Sequence, residues 1–257
     1  MTDIEGSTVL VTGANGGIGS RFVEALSDRG ATKIYAAVRR PDSCDALRAR
    51  FGGRISVLPL DLADAASIDA AIVLAKDIDL LISNAGQTLL TPLLETDMAA
   101  MRALFEVNLF GPHRLAAGLL PVLRERRGGI IAVLSMAALL PVAGAESYCA
   151  SKAAAVMLAH GLRTASREDG VRVSLVYPGF VDTPMAESFA APKASPRRVA
   201  DRALDGWLAG ETSIFPDQFA AMTRDALLNE MPRILNEPGD LLADIVGAFV
   251  VHPMAGR

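Results

Sequence analysis

Apolar residues in this chain fall into short continuous runs separated by stretches of helical periodicity. Thr8 to Val11 is a β-branched run that leads into Gly13. From Ile18 to Arg29 the apolar residues stand at 18, 22, 23, 25 and 26, one face of a helix, with Gly30 as its stop. The same alternation predicts strands at Lys33 to Val38, Ile55 to Leu60, Leu80 to Ile82, Ile130 to Leu134, Val171 to Val176 and Thr212 to Phe215. It predicts helices at Ser43 to Phe51, Ala65 to Ala75, Asp97 to Leu109, Pro112 to Arg126, Ser147 to Asp169 and Val199 to Ala209. Phe219 to Leu235 reads as helical, and Asp240 to Val251 is a further apolar segment. Strands that are apolar throughout, alternating with helices, imply a parallel sheet covered on both faces. The expected fold is α/β, a doubly wound parallel sheet of about seven strands in a single domain spanning 1–257.

Composition narrows the function classes. The chain has 257 residues, 51% of them hydrophobic and 21% charged, which excludes a disordered chain and permits a large core. With 25 Lys and Arg against 29 Asp and Glu, the net charge is −4. The basic clusters Arg124-Glu125-Arg126-Arg127 and Arg197-Arg198 are short, so no nucleic-acid partner is expected. Cys44 and Cys149 allow at most one bridge and have no metal-ligand spacing, so no metal is expected. The first residues have no basic and apolar leader pattern. The longest uncharged stretch, Gly128 to Ala145, is broken by Ser135, Pro141 and Gly144. No membrane span and a cytoplasmic setting follow as expectations. His113, His160 and His252 are scattered and suit structural roles, and Trp207 suits a core or an interface.

Chemistry concentrates in two places. Thr12-Gly13-Ala14-Asn15-Gly16-Gly17-Ile18-Gly19 follows the first strand and opens the first helix. A pyrophosphate approaching the backbone there needs glycines and free amides at the helix N-terminus, although an ordinary glycine-rich turn would use the same residues. Tyr148 and Lys152 stand four apart and share one face of a helix. A tyrosine needs help to act as a base, since its ordinary pKa is about 10. Bringing it to about 7 takes about 4 kcal/mol, the order of energy that a cation about 4 Å away supplies at an effective dielectric near 20. Ser135 lies at the carboxyl end of a strand, where open α/β sheets bind ligands.

Gly13, Gly17 and Gly19, with Asn108, Ser135, Tyr148 and Lys152 in that order and spacing, resemble the signature of the short-chain dehydrogenase/reductase family. Ser83-Asn84-Ala85-Gly86, Asp61-Leu62 and Pro178-Gly179 with Thr183 are similar to further marks of that family, so the resemblance runs from about residue 7 to 185. It implies a Rossmann fold that binds a nicotinamide cofactor through Gly13, Asn15, Gly17, Ile18, Gly19, Arg39, Asp61, Leu62, Asn84, Ala85, Gly86, Tyr148, Lys152, Pro178, Gly179, Val181 and Thr183. The implied catalytic set is Asn108, Ser135, Tyr148 and Lys152. Tyr148 would exchange a proton with the substrate oxygen, Ser135 would hydrogen-bond that oxygen, and Asn108 would anchor a water passing protons to Lys152. Lys152 would lower the Tyr148 pKa and hold the nicotinamide ribose. The chain departs from the pattern at Ser83, at Met136 where a second Ser is common, and at Ser213 to Asp217, where no Gly-Gly pair stands.

Val38 stands where an acid for the ribose 2′-hydroxyl would be expected, and Arg39 follows it, which favours NADP(H) over NAD(H). Residues 184–196 form the expected substrate loop; its Met185 and Phe189 suggest a small, neutral, moderately hydrophobic alcohol or carbonyl compound. Residues 218–257 form a helical tail. Family members are often dimers or tetramers, so a homo-oligomer is expected. Two other readings stay open: a non-catalytic dinucleotide sensor, and an epimerase or dehydratase. Those last chains are usually longer after the tyrosine than the 109 residues present here (257 − 148).

Overall fold

The computed structural model describes residues 3–230 and 238–251. Seven strands form one parallel sheet: β1 (Thr8–Thr12), β2 (Lys33–Val38), β3 (Ile55–Pro59), β4 (Leu80–Ser83), β5 (Gly129–Val133), β6 (Arg172–Val176) and β7 (Ser213–Ile214), in the order β3-β2-β1-β4-β5-β6-β7. The helices are α1 (Gly17–Asp28), α2 (Asp45–Phe51), α3 (Ala65–Leu74), α4 (Met98–Phe105), α5 (Gly111–Glu125), α6 (Glu146–Ala165), α7 (Pro196–Leu208), α8 (Gln218–Asn229) and α9 (Pro238–Val251).

The central strands are predominantly apolar because both of their faces are buried. Val9, Val11, Ile131, Val133 and Val176 pack on one side, against Phe22 and Leu26 of α1 and Leu204 and Trp207 of α7. Leu10, Ile130, Val173 and Leu175 pack on the other, against Ile68 of α3, Leu115 and Leu119 of α5, and Val156 of α6. Trp207 is fully buried, and a Cβ on Gly129 would lie 2.2 Å from its ring. The sheet therefore needs glycine at that crossing.

The order of strand addition switches sides between β1 and β4, which pair directly and in parallel through Val9–Leu80, Leu10–Leu81 and Val11–Ile82. The loops leaving these two strands diverge and open a crevice over their carboxyl ends, the usual ligand position in such sheets. A third cluster closes the far side of that crevice. It is built from Met136, Ala137, Leu140, Cys149, Phe219 and Ile245, so it includes the C-terminal helices α8 and α9.

Element boundaries differ from the sequence expectation at four points. The break expected between residues 109 and 112 is instead a π-turn, Glu106–Phe110, that runs α4 into α5. Gly111 donates to Glu106 O, five residues back. Pro112 has no N–H to offer Asn108 O, and its ring would crowd that carbonyl in a regular helix, so the widened turn relieves the clash. Helix α6 stops at Ala165, since Ser166 turns its hydroxyl onto Leu162 O. β7 is only two residues long. Helix α8 ends at Asn229; the rest of the segment expected up to Leu235, and His252, lie outside the described residues. No described helix is long and apolar enough to cross a membrane, and the described residues contain no cluster of metal-ligating side chains.

Candidate active site

The glycine-rich turn is shaped by contact distances that only glycine allows. Gly13 has φ +64°, and a Cβ there would sit 3.1 Å from Ala85 Cα. A Cβ on Gly19 would fall 2.0 Å from Gly13 O, so α1 approaches the turn more closely than any side chain permits. Gly16 caps α1 without a side-chain acceptor, which leaves the first-turn amides to a ligand. Thr12 locks this turn to the one after β4. Its hydroxyl accepts from Asn84 N and Ala85 N, both at 2.9 Å, and Asn84 Nδ2 donates to Thr12 O at 2.9 Å.

From this turn a cleft of about 450 Å³ runs across the carboxyl ends of the strands. Its walls include Gly13, Asn15, Gly17, Ile18, Arg39, Asp61, Leu62, Asn84, Ala85, Gly86, Ser135, Tyr148, Lys152, Pro178, Gly179, Val181 and Thr183. Two of the expected site residues stand behind the walls instead. Gly19 serves helix packing, and Asn108 is buried in the π-turn. At the β2 end of the cleft, Val38 is buried while Arg39 and Arg40 are exposed. Among the described residues neither arginine forms an ion pair. Val38 at the end of β2 and the Arg39 and Arg40 that follow it include no acid.

At the other end, Ser135 lies just past β5 with extended backbone, and its Oγ accepts from Ala137 N at 3.1 Å. Tyr148 and Lys152 project from the first turns of α6. Burial pushes the Tyr148 hydroxyl up to about 12, with a hydrogen bond to Ser135 pulling weakly the other way. Burial pulls the Lys152 amine down to about 8. The helical spacing predicts that Lys152 draws the tyrosine pKa down; in this structure burial instead raises it. The reason is direction: Lys152 Nζ turns toward Val133 O at 3.4 Å and lies 5.9 Å from the Tyr148 ring centre. It also lies 3.3 Å from where a Gly86 Cβ would be. Each group thus loses hydration without a facing counter-charge.

Asn108 is fully engaged. Its Oδ1 accepts from Gln87 N at 2.8 Å, and its Nδ2 donates to Gln87 O and Ser151 Oγ, each at 2.9 Å. Ser151 in turn donates to Tyr148 O at 2.8 Å. The side chain therefore clamps the loop after β4 to the helix that carries Tyr148. A separate cavity of about 50 Å³ adjoins both Asn108 and Lys152, wide enough for water.

The remaining wall is apolar. Leu90, Val142, Met185 and Phe189 line it with Phe180, whose ring lies 5.2 Å from that of Phe189 and 5.0 Å from that of Phe219. Gln87, Met136, Val142 and Phe180 are cleft residues that sequence reasoning did not assign to the site, although Met136 stood out as a departure from the family pattern. Three of them directly follow motif residues (Gly86, Ser135 and Gly179), which is the signal that could have found them. Asp217, buried behind Gly179, was also missed and has no motif to announce it.

Known proteins combine the same parts. The family model for short chain dehydrogenase matches residues 7–194. An oxidoreductase of Salmonella typhimurium, UcpA, is 33% identical over 199 residues, covering 74% of this chain and 75% of that protein. A 1-deoxy-11-beta-hydroxypentalenate dehydrogenase of Streptomyces exfoliatus is 33% identical over 232 residues, 85% of this chain and 78% of its own. A crystal structure of a short chain dehydrogenase from Burkholderia cenocepacia J2315 in complex with NADP superposes with a TM-score of 0.86 at 35% identity, covering 91% of this chain and 97% of that one. With the glycine turn, the strand order and the Ser–Tyr–Lys cleft already in place, this chain belongs to the short-chain dehydrogenase family of oxidoreductases.

Proposed function

We propose that the protein interconverts a secondary alcohol and a ketone or aldehyde with NADP(H), by hydride transfer coupled to proton exchange at Tyr148. The carrying observation is that Ser135, Tyr148 and Lys152 line the same cleft as the glycine turn. The residues fit the cofactor: Gly13 and Gly19 let the turn and α1 pack closely enough to present first-turn amides to a pyrophosphate, and Arg39 and Arg40, without an ion pair among the described residues, stand at the β2 end of the cleft for a 2′-phosphate. The Burkholderia relative was crystallised with NADP, which agrees with this choice.

When bound, the nicotinamide supplies or accepts the hydride. Gly13, Asn15, Gly17 and Ile18 would hold the pyrophosphate side, Arg39 the 2′-phosphate, and Asp61 and Leu62 the adenine. Asn84, Ala85, Gly86, Pro178, Gly179, Val181 and Thr183 would hold the nicotinamide half, with Lys152 on its ribose hydroxyls. The Tyr148 hydroxyl, protonated at neutral pH, donates its proton to the substrate oxygen in the reductive direction. Ser135 Oγ donates a hydrogen bond to the same oxygen and offsets its developing charge. Asn108 positions the Gln87 loop and α6 through its side chain, and water in the adjoining cavity would carry protons to and from Lys152.

The substrate is a neutral, moderately hydrophobic carbonyl compound or alcohol. Phe180, Phe189, Met185 and Val142 offer it no charge to pair with. The chain is a single unit in which 184–196 is the substrate loop. Met98 on α4, Phe110 in the π-turn and Met157 on α6 are more than half exposed, which suits a homo-oligomer formed over these helices. Two free buried cysteines suit a reducing compartment such as the cytoplasm.

The test is Tyr148→Phe assayed against a panel of ketones, aldehydes and secondary alcohols. Turnover falls by several orders of magnitude while NADPH binding by fluorescence titration persists. A variant that keeps its turnover refutes the assignment. Tight NADPH binding by a wild-type protein that turns over nothing favours the sensor reading.

A further inference from the structure

Asp217 is buried at 8% exposure in the link between β7 and α8, and its two oxygens do different things. Oδ1 accepts from Ala220 N at 2.9 Å and caps α8. Oδ2 accepts from Gly179 N at 2.8 Å, in the wall of the cleft. A helix cap needs one acceptor, and Ser or Asn supplies it without charge. Burying a carboxylate is costly unless its hydrogen bonds compensate. The second oxygen is therefore what a carboxylate at this position adds.

That oxygen reaches a segment already tied to the reacting end. Pro178 O accepts from Met136 N at 2.9 Å, and Met136 follows Ser135. On the outer side, Phe180 O accepts from Ala194 N at 2.8 Å, which joins the segment to the substrate loop. The fit is close: a Cβ on Gly179 would lie 2.7 Å from Asp217 Oδ1 and 2.9 Å from the Phe219 ring. Phe219 and Ile245 of the C-terminal helices share one buried cluster with Met136 and Ala137.

We propose that Asp217 is a positioning residue of the active site, coupling the C-terminal helices to the Pro178–Gly179 wall and through it to Ser135. The proposal rests on reading the cleft as a hydride-transfer site. It assigns α8 and α9 a role in holding the reacting geometry. Asn at this position keeps the cap but presents an N–H₂ group where one of the two amides needs an acceptor; Ser keeps the cap and is too short to reach Gly179.

Full-length Asp217→Asn and Asp217→Ser test it with two readouts. Hydrogen exchange by mass spectrometry, without nucleotide, should speed up about tenfold or more over residues 176–183 and extend to 134–138, with 13–19 unchanged. Turnover per titrated NADPH-binding site should fall at least tenfold while NADPH affinity stays within about threefold. Faster exchange confined to 218–229, or unchanged turnover per site, overturns the proposal, as does failure of both variants to fold with NADPH present. A wild-type protein that turns over no carbonyl compound counts against the functional reading alone, and the exchange result still decides the coupling.

Discussion

The burial of Lys152 opposes stability, and that opposition can be measured. The residue is 5% exposed, its Nζ makes a long contact to Val133 O, and among the described residues no carboxylate faces it. Burial moves the amine from 10.5 to about 8. At 1.36 kcal/mol per unit, the charged form is less stable in the fold than in the unfolded chain by about 3 kcal/mol. Near-complete burial means that solvent screening removes little of this. Lys152→Met keeps an unbranched side chain of similar reach and removes the charge. The variant should therefore be more stable than wild type at pH 7 by up to about 3 kcal/mol, an increase of about 5–10 °C in melting temperature for a chain of this size, and should lose activity.

The pH dependence identifies the cause. Below pH 8 both the folded and the unfolded wild type carry the proton, and the full penalty is present. Between pH 8 and 10.5 the folded state releases it first, so the unfolded state holds more protons and wild-type stability rises relative to the variant. The gap should narrow through this window and close above it. Thermal melts of nucleotide-free protein at several pH values would show this; bound nucleotide must be removed, because it adds its own stabilisation. A variant that melts at or below wild type at pH 7, or a gap that does not change with pH, refutes the reasoning.

Two further outcomes follow from the site. Arg39→Ala should raise the KM for NADPH about 10- to 100-fold, the loss of a charge-assisted hydrogen bond, and change that for NADH less than threefold; equal effects on both would remove Arg39 from the 2′-phosphate. Because the Tyr148 hydroxyl stands near 12, carbonyl reduction should be flat in rate from pH 6 to 8, while alcohol oxidation, which needs the phenolate, should rise with pH; a pH-independent oxidation contradicts this.

The sheet was legible in the sequence because its strands are buried on both faces. Val9 to Val11 and Ile130 to Val133 therefore read as unbroken apolar runs, Val173 to Val176 is interrupted only by Ser174, and the glycine spacing at 13, 17 and 19 marked the turn between the first of them and α1. At the π-turn, part of the deciding environment is distant in sequence. Gly111-Pro112 looks like a helix break, yet the chain continues as a π-turn that carries Gly111 past Leu62 O, where a Cβ would be 2.0 Å away. Periodicity carries no information about that crossing.

The site divides in the same way. Spacing placed Tyr148 and Lys152 on one face of α6 but could not say where the lysine tip turns, and its tip decides the electrostatics. With Nζ held toward Val133 O, the pair is a neutral acid beside a poorly solvated cation. Moving the phenol from about 12 to about 7 would take about 7 kcal/mol at 1.36 per unit, more than the roughly 4 kcal/mol that one cation at 4 Å provides at an effective dielectric near 20. Proton donation needs no such shift, whereas proton abstraction needs the amine reoriented and further hydrogen bonds to the phenolate. Asn108 and Asp217 show why the supporting parts were harder to read. Each acts largely through backbone groups, Gln87 N and O for one and Gly179 N for the other, and a backbone amide is not a property of one residue type. The bonded groups thus leave little residue signature of their own; the glycine at 179 reflects the close approach of Asp217 and Phe219, which only the fold shows.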